Sequence, residues 1–330
     1  MSDDIESRTI ELGSARPAET GPARERCPLC GRTEIPTIRE QNVCCAVCGA
    51  VIRPLQLRPG DMIGGRYRIL KLLGEGGFGK VYLVNPPADP ALRYVVKSLR
   101  AGATPVTVRR FIREAKILHQ IDYESIVRLV DYWQDDSGYF LAMEYIDGET
   151  LTSLRKRVVF DEESAIIIVK EVAKALDYMW NTHRLIHRDI KPSNIMLDAE
   201  SHIKLLDFGM SKCTESDETA LTMEHVGLGT PGYMSPEQFC DSRNAGIQAD
   251  MFSLGATLFF LLTGHAPFSG GSLRELYDCT TRNTPPDIRA ECPNLSNETE
   301  ALLRSMMALQ PEDRFQTWAE IIQLTRDILR

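Results

Sequence analysis

At Gly148 the sequence changes texture, and that change constrains the fold more than any other feature. Upstream, apolar residues alternate in short runs: Tyr67–Leu73, Lys80–Val84, Arg93–Leu99, Ile126–Trp133 and Tyr139–Tyr145. Period-two alternation broken by Gly and Pro turns reads as antiparallel strands. One helix interrupts them, because Phe111, Ile112, Ala115, Leu118 and Ile121 recur at helical spacing over residues 107–120. Downstream the runs lengthen. Asp161–Thr182 opens with Asp-Glu-Glu, which suits a helix N-terminus, and Met251–Leu262 has the composition of a buried helix. The expected fold class is α+β, with a small, mostly antiparallel sheet lobe over 66–147 and a larger helical lobe over 148–330.

The first 65 residues follow neither pattern. Residues 1–26 hold few large apolar side chains, too few to offset the entropy of ordering the chain, so this tail is expected to be disordered. Five of the nine cysteines then crowd into Cys27-Pro28-Leu29-Cys30-Gly31 and Cys44-Cys45-Ala46-Val47-Cys48-Gly49. Two Cys-x-x-Cys-Gly turns at this separation match the spacing at which four thiolates surround one tetrahedral zinc. A segment this short cannot bury enough apolar surface to fold by itself, whereas structural zinc supplies roughly 10–16 kcal/mol of apparent binding free energy. Disulfides and a redox-active pair are the alternatives. Cys44 and Cys45 compete for one ligand position, and Cys45 keeps the two-residue spacing, so the expected set is Cys27, Cys30, Cys45 and Cys48. Residues 27–49 resemble a zinc ribbon, and 50–65, with Pro54, Pro59, Gly60, Gly64 and Gly65 as breakers, read as a linker.

Charge and hydropathy exclude some functions. Thirty-eight Lys and Arg against forty-six Asp and Glu give a net charge of −8, which argues against broad binding to nucleic acid or anionic lipid. No apolar run reaches the roughly eighteen residues of a spanning helix, and the acidic start Met1-Ser2-Asp3-Asp4 is unlike a signal peptide. The expected location is cytoplasmic, with neither membrane nor nucleic acid as partner. No internal repeat or low-complexity tract is present.

The chemistry-bearing residues come in a fixed order. Gly74, Gly76, Gly77 and Gly79 form a Gly-x-Gly-x-x-Gly run between two strands, where backbone amides can approach phosphate oxygens, although alone such a run is as readily a plain hairpin. It opens no helix, so a dinucleotide-binding fold matches poorly. Lys97 follows on the next strand and Glu114 on the next helix. Then come His187-Arg188-Asp189, Lys191, Asn194, Asp207-Phe208-Gly209 and Ser235-Pro236-Glu237.

That series resembles the eukaryotic-type (Hanks-type) Ser/Thr protein kinases, from about residue 66 to the C-terminus, and Ser235-Pro236-Glu237-Gln238 leans toward their bacterial branch. The resemblance implies a two-lobed kinase fold, ATP with Mg2+ (or Mn2+), and protein Ser/Thr hydroxyls as acceptors. It implies that Lys97, held by Glu114, neutralises the α and β phosphates. Asp207 and Asn194 hold metal, oxygen ligands suiting a hard cation. Asp189 orients the attacking hydroxyl and Lys191 stabilises the transferring phosphoryl group. It places Met143 at the gatekeeper position, Glu144 to Ile146 at the adenine hinge, and Leu73, Val81, Val95 and Met196 around the base. Val95 stands where the family usually has alanine, which tightens the pocket. Asp250 and an Arg314–Glu237 pair resemble structural anchors. Aspartate followed two residues later by lysine looks like the Ser/Thr class.

Residues 207–237 are polar and Thr-rich, and Arg188 precedes the expected base. An arginine there can pair with a phosphate and order the loop, which points to autophosphorylation, with Thr222 favoured over Thr219, and to self-association while it occurs. Thr230 is expected to hydrogen-bond near Asp189 and Lys191. The rival functions are a pseudokinase or scaffold that docks partners, and a small-molecule kinase. Presence of Lys97, Asp189, Asn194 and Asp207 weighs against the first, and the extended Gly-Thr-Pro-Gly-Tyr segment weighs against the second.

Overall fold

The computed structural model describes residues 24–27, 29–39, 42–49, 51–54, 57–76, 79–99, 105–135, 138–207, 231–241, 245–270, 272–282 and 286–330. Two small sheets come first. β1 (Glu25–Arg26) pairs with β2 (Thr33–Glu34), and β3 (Thr37–Arg39), β4 (Asn42–Cys44) and β5 (Val51–Pro54) form an antiparallel meander in that order. β5 lies in the stretch that the breakers mark as linker. Four residues ending in proline carry no legible alternation, and among the described residues β4 is the strand that fixes them in register.

The second sheet has six strands in the order β10-β11-β9-β8-β7-β6. Its members are β6 (Met62–Ile63), β7 (Tyr67–Gly76), β8 (Gly79–Asn85), β9 (Tyr94–Leu99), β10 (Leu129–Asp135) and β11 (Gly138–Glu144), all antiparallel, with helix α1 (Pro105–Leu118) between β9 and β10. β6 is a second strand inside the expected linker. Strand pleating sends alternate side chains to opposite faces. Tyr82, Val84, Val96, Phe140 and Ala142 pack on the outer face with Tyr67, Ile69 and Trp133. Register puts Val81 opposite Lys97, and Met143 opposite Val95, on the other face.

The chain is strapped to that outer face where it enters the sheet. Gly64 adopts a positive φ of 60°, and a Cβ there would run into the Trp133 indole. The Arg66 guanidinium lies 5.2 Å from the centroid of the same ring and pairs with Asp131.

The larger lobe begins with a third sheet that the texture of the sequence conceals. β12 (Gly148–Thr150), β13 (Ile195–Asp198) and β14 (Ile203–Leu205) pair antiparallel, and a short helix α2 (Leu151–Leu154) follows β12 directly. Strands of three or four residues are too short to show a period. α3 (Glu162–His183) starts where Asp161 accepts the Ser164 N–H at 2.8 Å, and Glu162 and Glu163 occupy its first turn. It ends at Arg184 in the left-handed region, φ 54°.

α4 (Pro236–Asp241) precedes α5 (Ile247–Thr263), which is buried on nearly every side. Its polar residues are satisfied locally: Ser253 and Thr257 hydroxyls donate to carbonyls one turn back, and Gly264 ends the helix at φ 94°. α6 (Leu273–Arg282), α7 (Asn297–Met306) and α8 (Trp318–Ile328) complete the lobe, and one core cluster runs from α1 through α3 and α5 to α8. Between α4 and α5, Arg314 grips Glu237 with both terminal guanidinium nitrogens (2.6 and 3.0 Å) and bonds the Gln248 carbonyl at 2.9 Å. With its side chain fully buried, Arg314 ties α4, α5 and the turn before α8 together.

Candidate active site

The cleft is built where the sheet face bearing Lys97 meets β13 and β14. Lys97 is buried, and its ammonium lies 3.2 Å from Glu114 Oε1 on α1 while also bonding Asp207. Burial pulls the Lys97 pKa down, but the two carboxylates outweigh it and hold it above the ordinary lysine range. The Lys97 ammonium in turn holds the Asp207 carboxyl below its usual range. Sequence separations of 17 and 110 residues close here at one nitrogen atom.

A second cluster stands beside it. Lys191 Nζ lies 2.9 Å from Asp189 Oδ2, and Asn194 Nδ2 donates to the Asp189 backbone carbonyl (2.8 Å) and to Oδ2 (2.9 Å). With its amide hydrogens turned to Asp189, Asn194 keeps its side-chain oxygen for another partner. An oxygen atom there, with the half-exposed Asp207 carboxylate, suits a hard divalent cation. The Leu206 N–H donates to the Asn194 carbonyl at 2.8 Å, so the backbone leading to Asp207 is pinned to the backbone carrying Asn194.

Two residues hold strained conformations at this junction. Arg188 (φ 68°) and Asp207 (φ 58°) are left-handed without being glycine. At Arg188 the constraint is visible: Asp250, buried in the first turn of α5, accepts the N–H groups of both His187 and Arg188 at 2.7 Å. Burial pushes the Asp250 carboxyl above its usual range, against those two bonds and the nearby His187 and Arg188. His187 is wholly buried, with Nε2 3.0 Å from the Leu206 carbonyl. Arg188 is buried as well and donates to the Ala245 carbonyl at 3.1 Å.

The other expected residues lie on the sheet, on β13 and just past β11. Val81, Val95 and Met143 share the Lys97 face, Met196 lies on β13, and Leu73 is exposed on β7 near Gly74, Gly76 and, at the start of β8, Gly79. Ile146 is buried beyond β11. Gly77, Phe208, Gly209, Thr219, Thr222 and Thr230 lie outside the described residues. One contact has no linear signal at all: the Glu144 carboxylate takes Lys204 Nζ at 2.8 Å and the Arg128 N–H at 3.1 Å.

In the N-terminal module four sulfurs converge, those of Cys27, Cys30, Cys45 and Cys48, all within 4.8 Å of one another. Cys27–Cys48 and Cys30–Cys45 sulfur separations are 3.6 and 3.7 Å. A tetrahedral site with zinc–sulfur bonds of about 2.3 Å has edges of about 3.8 Å, so the cluster fits that ion. Gly31 and Gly49 turn at φ 72° and 73°, and the N–H groups of Leu29, Cys30 and Val47 point at sulfur, at 3.4–3.5 Å. The N–H groups of Cys30 and Leu29 lower the Cys27 thiol to about 6, and those of Cys48 and Val47 lower Cys45, each against the effect of burial. Cys44 stays in β4, opposite Thr37 and Val51.

A small sheet lobe with one helix, a helical lobe, and a lysine–glutamate pair meeting an aspartate at their junction define the protein kinase architecture. A sequence model of the protein kinase domain matches residues 67–325, and the chain belongs to that family. It is 34% identical over 275 residues to the serine/threonine-protein kinase PknJ of Mycobacterium tuberculosis, across 80% of this chain and 45% of that protein. To PrkC of Bacillus subtilis it is 32% identical over 263 residues, 78% of this chain and 40% of the other. The chain thus matches less than half the length of these relatives. The crystal structure of the Mycobacterium tuberculosis PknI kinase domain superposes with a TM-score of 0.66 at 26% identity, covering 83% of this chain and all of that one.

Proposed function

We propose that this chain is an ATP-dependent Ser/Thr protein kinase that transfers the γ-phosphoryl group to protein hydroxyls. The observation that carries the reading is the Lys97 ammonium held jointly by Glu114 and Asp207 beside the Asp189–Lys191–Asn194 cluster. In this reading Lys97 balances charge on the nucleotide's α and β phosphates while Glu114 keeps its ammonium aimed into the cleft. Asn194 and Asp207 hold Mg2+ (or Mn2+), which neutralises phosphate charge when bound. Asp189 accepts or orients the proton of the incoming hydroxyl, and Lys191 lies against the oxygen that gains charge. Leu73, Val81, Val95, Met143, Met196 and the backbone from Glu144 to Ile146 take the adenine, and the glycines from Gly74 to Gly79 cover the phosphates.

The same proposal extends to a metal, a loop and a location. Cys27, Cys30, Cys45 and Cys48 hold one structural zinc in a ribbon that precedes residues 66–330. Arg188 receives a phosphate from the loop containing Thr219, Thr222 and Thr230 after autophosphorylation between copies. The protein works in the cytoplasm, away from membranes and nucleic acid; among the described residues no helix is long and apolar enough to cross a membrane.

Purified protein given labelled ATP and Mg2+ tests the central claim. Transfer to itself or to a generic protein substrate is expected, with Asp189→Ala and Asp207→Asn each reducing turnover by at least about a hundredfold. Asp189→Ala is expected to keep nucleotide affinity, whereas Asp207→Asn lowers it. ATP binding with no transfer, before or after loop phosphorylation, sinks the kinase reading in favour of a scaffold.

A further inference from the structure

We infer that Lys204 and Glu144 form a positioning pair that fixes the distance between the adenine end and the phosphate end of the nucleotide site. The inference rests on the nucleotide-binding reading above and adds to it a contact between two side chains, the Glu144 carboxylate and the Lys204 ammonium, to which that reading gives no part in holding the nucleotide.

The pair sits at a three-way junction. Glu144 ends β11 and begins the segment assigned to adenine, yet its side chain points away to Lys204 Nζ at 2.8 Å. Lys204 is the middle residue of β14, three positions before Asp207, and pairs in register with Met196 across β13. The third partner is the loop between α1 and β10. The Glu144 N–H donates to the Arg128 carbonyl (3.0 Å) and its carboxylate accepts the Arg128 N–H. The same loop clamps β14: Val127 N–H donates to the Leu205 carbonyl at 3.0 Å, and Leu205 N–H to the Ser125 carbonyl at 2.8 Å. α1, which carries Glu114, ends just upstream. The hinge, β14 and the loop that follows α1 therefore meet at one carboxylate, about one-fifth exposed on each side of the ion pair.

The backbone bonds of this junction join the loop to β14 and the loop to the hinge, but the Glu144–Lys204 bond is the side-chain link from hinge to β14. A nucleotide reaches across both. Adenosine alone would touch only the hinge end, whereas ATP with its metal needs the hinge and Asp207 at the right separation. In the structure the pair coexists with the assembled Lys97–Glu114–Asp207 contact, so the two are compatible.

The experiment compares equilibrium affinity for ATP·Mg2+ with affinity for adenosine, in the full chain and in Lys204→Met, Lys204→Arg and Glu144→Gln. Lys204→Met is expected to weaken ATP·Mg2+ by about fivefold, the scale of one partly buried ion pair, and to leave adenosine unchanged, and Glu144→Gln to weaken ATP·Mg2+ to the same degree. Lys204→Arg should restore ATP affinity to within about twofold, and the double variant should lose no more than either single one. Equal loss for both ligands would mean a locally damaged hinge, and no loss for either would mean an idle surface pair; both outcomes overturn the inference. Parent protein that binds ATP but transfers no phosphate overturns the kinase reading alone. Parent protein that binds no ATP overturns both.

Discussion

The cysteine module and the two lobes stay folded by opposite means. Among the described side chains of residues 24–54, those buried are Cys27, Val43, Cys44 and Cys45, three of them thiols. In the lobes, one apolar cluster runs from Leu99 to Ile322, and α5 turns almost every residue inward. Apolar burial grows with the number of residues around it, so it serves a long chain and fails a segment of thirty. Four converging sulfurs need no such mass. On the zinc reading proposed above, the difference teaches that the module's stability is set by the ion its thiolates hold, and that of the lobes by shape.

The largest expected effect separates the two most sharply. Stripping zinc with a chelator, or substituting Cys45→Ser, removes an ion worth roughly 10–16 kcal/mol of apparent binding free energy. Metal analysis should fall from about one zinc per chain to none and amide protection in 24–54 should vanish, while the melting temperature of the lobes is unchanged. A matching collapse of the lobes would break the comparison.

Trp318→Ala is the converse. Its indole is 1% exposed on α8, and its loss should cost about 3–5 kcal/mol in urea unfolding of the lobes without changing zinc content.

Smaller effects lie at helix ends. Ser296 caps α7 by accepting the Thr299 N–H at 3.1 Å, so Ser296→Ala should cost about 1 kcal/mol in the same assay. Smallest is a pH effect at the surface. Protonated His265 donates to the Ala266 carbonyl and to Glu291 (2.7 Å), which raise its pKa above 6.5. The stabilisation is full below pH 6.5 and is lost as pH rises through the raised value. Both groups are exposed, so screening leaves roughly a few tenths of a kcal/mol, and His265→Gln should flatten that slope.

Much of this was legible beforehand because the residues concerned come in a fixed linear order. Strands from Tyr67 to Glu144 and the helix carrying Glu114 follow from period alone, and the helix begins two residues early because Pro105 can start a first turn. The third sheet was not legible, since β12, β13 and β14 have three or four residues each, too few to show a period. β5 was hidden by Pro54. The Glu144–Lys204 contact was invisible for another reason: sixty residues separate two ordinary charges, and only folding says which of many partners each one finds.

The strap at Gly64, Arg66 and Trp133 has a consequence for concentration. β5 ends at Pro54 and β6 begins at Met62, eight residues on, a span of at most about 28 Å even fully extended. Because the chain is fastened at Trp133 rather than left to swing from a loose tail, anything gripped by the cysteine module is confined to a small volume around the sheet lobe. On so short a tether its effective concentration there is of millimolar order, whatever its abundance in solution. A weak grip by the module would then be enough to keep a protein within reach of Asp189.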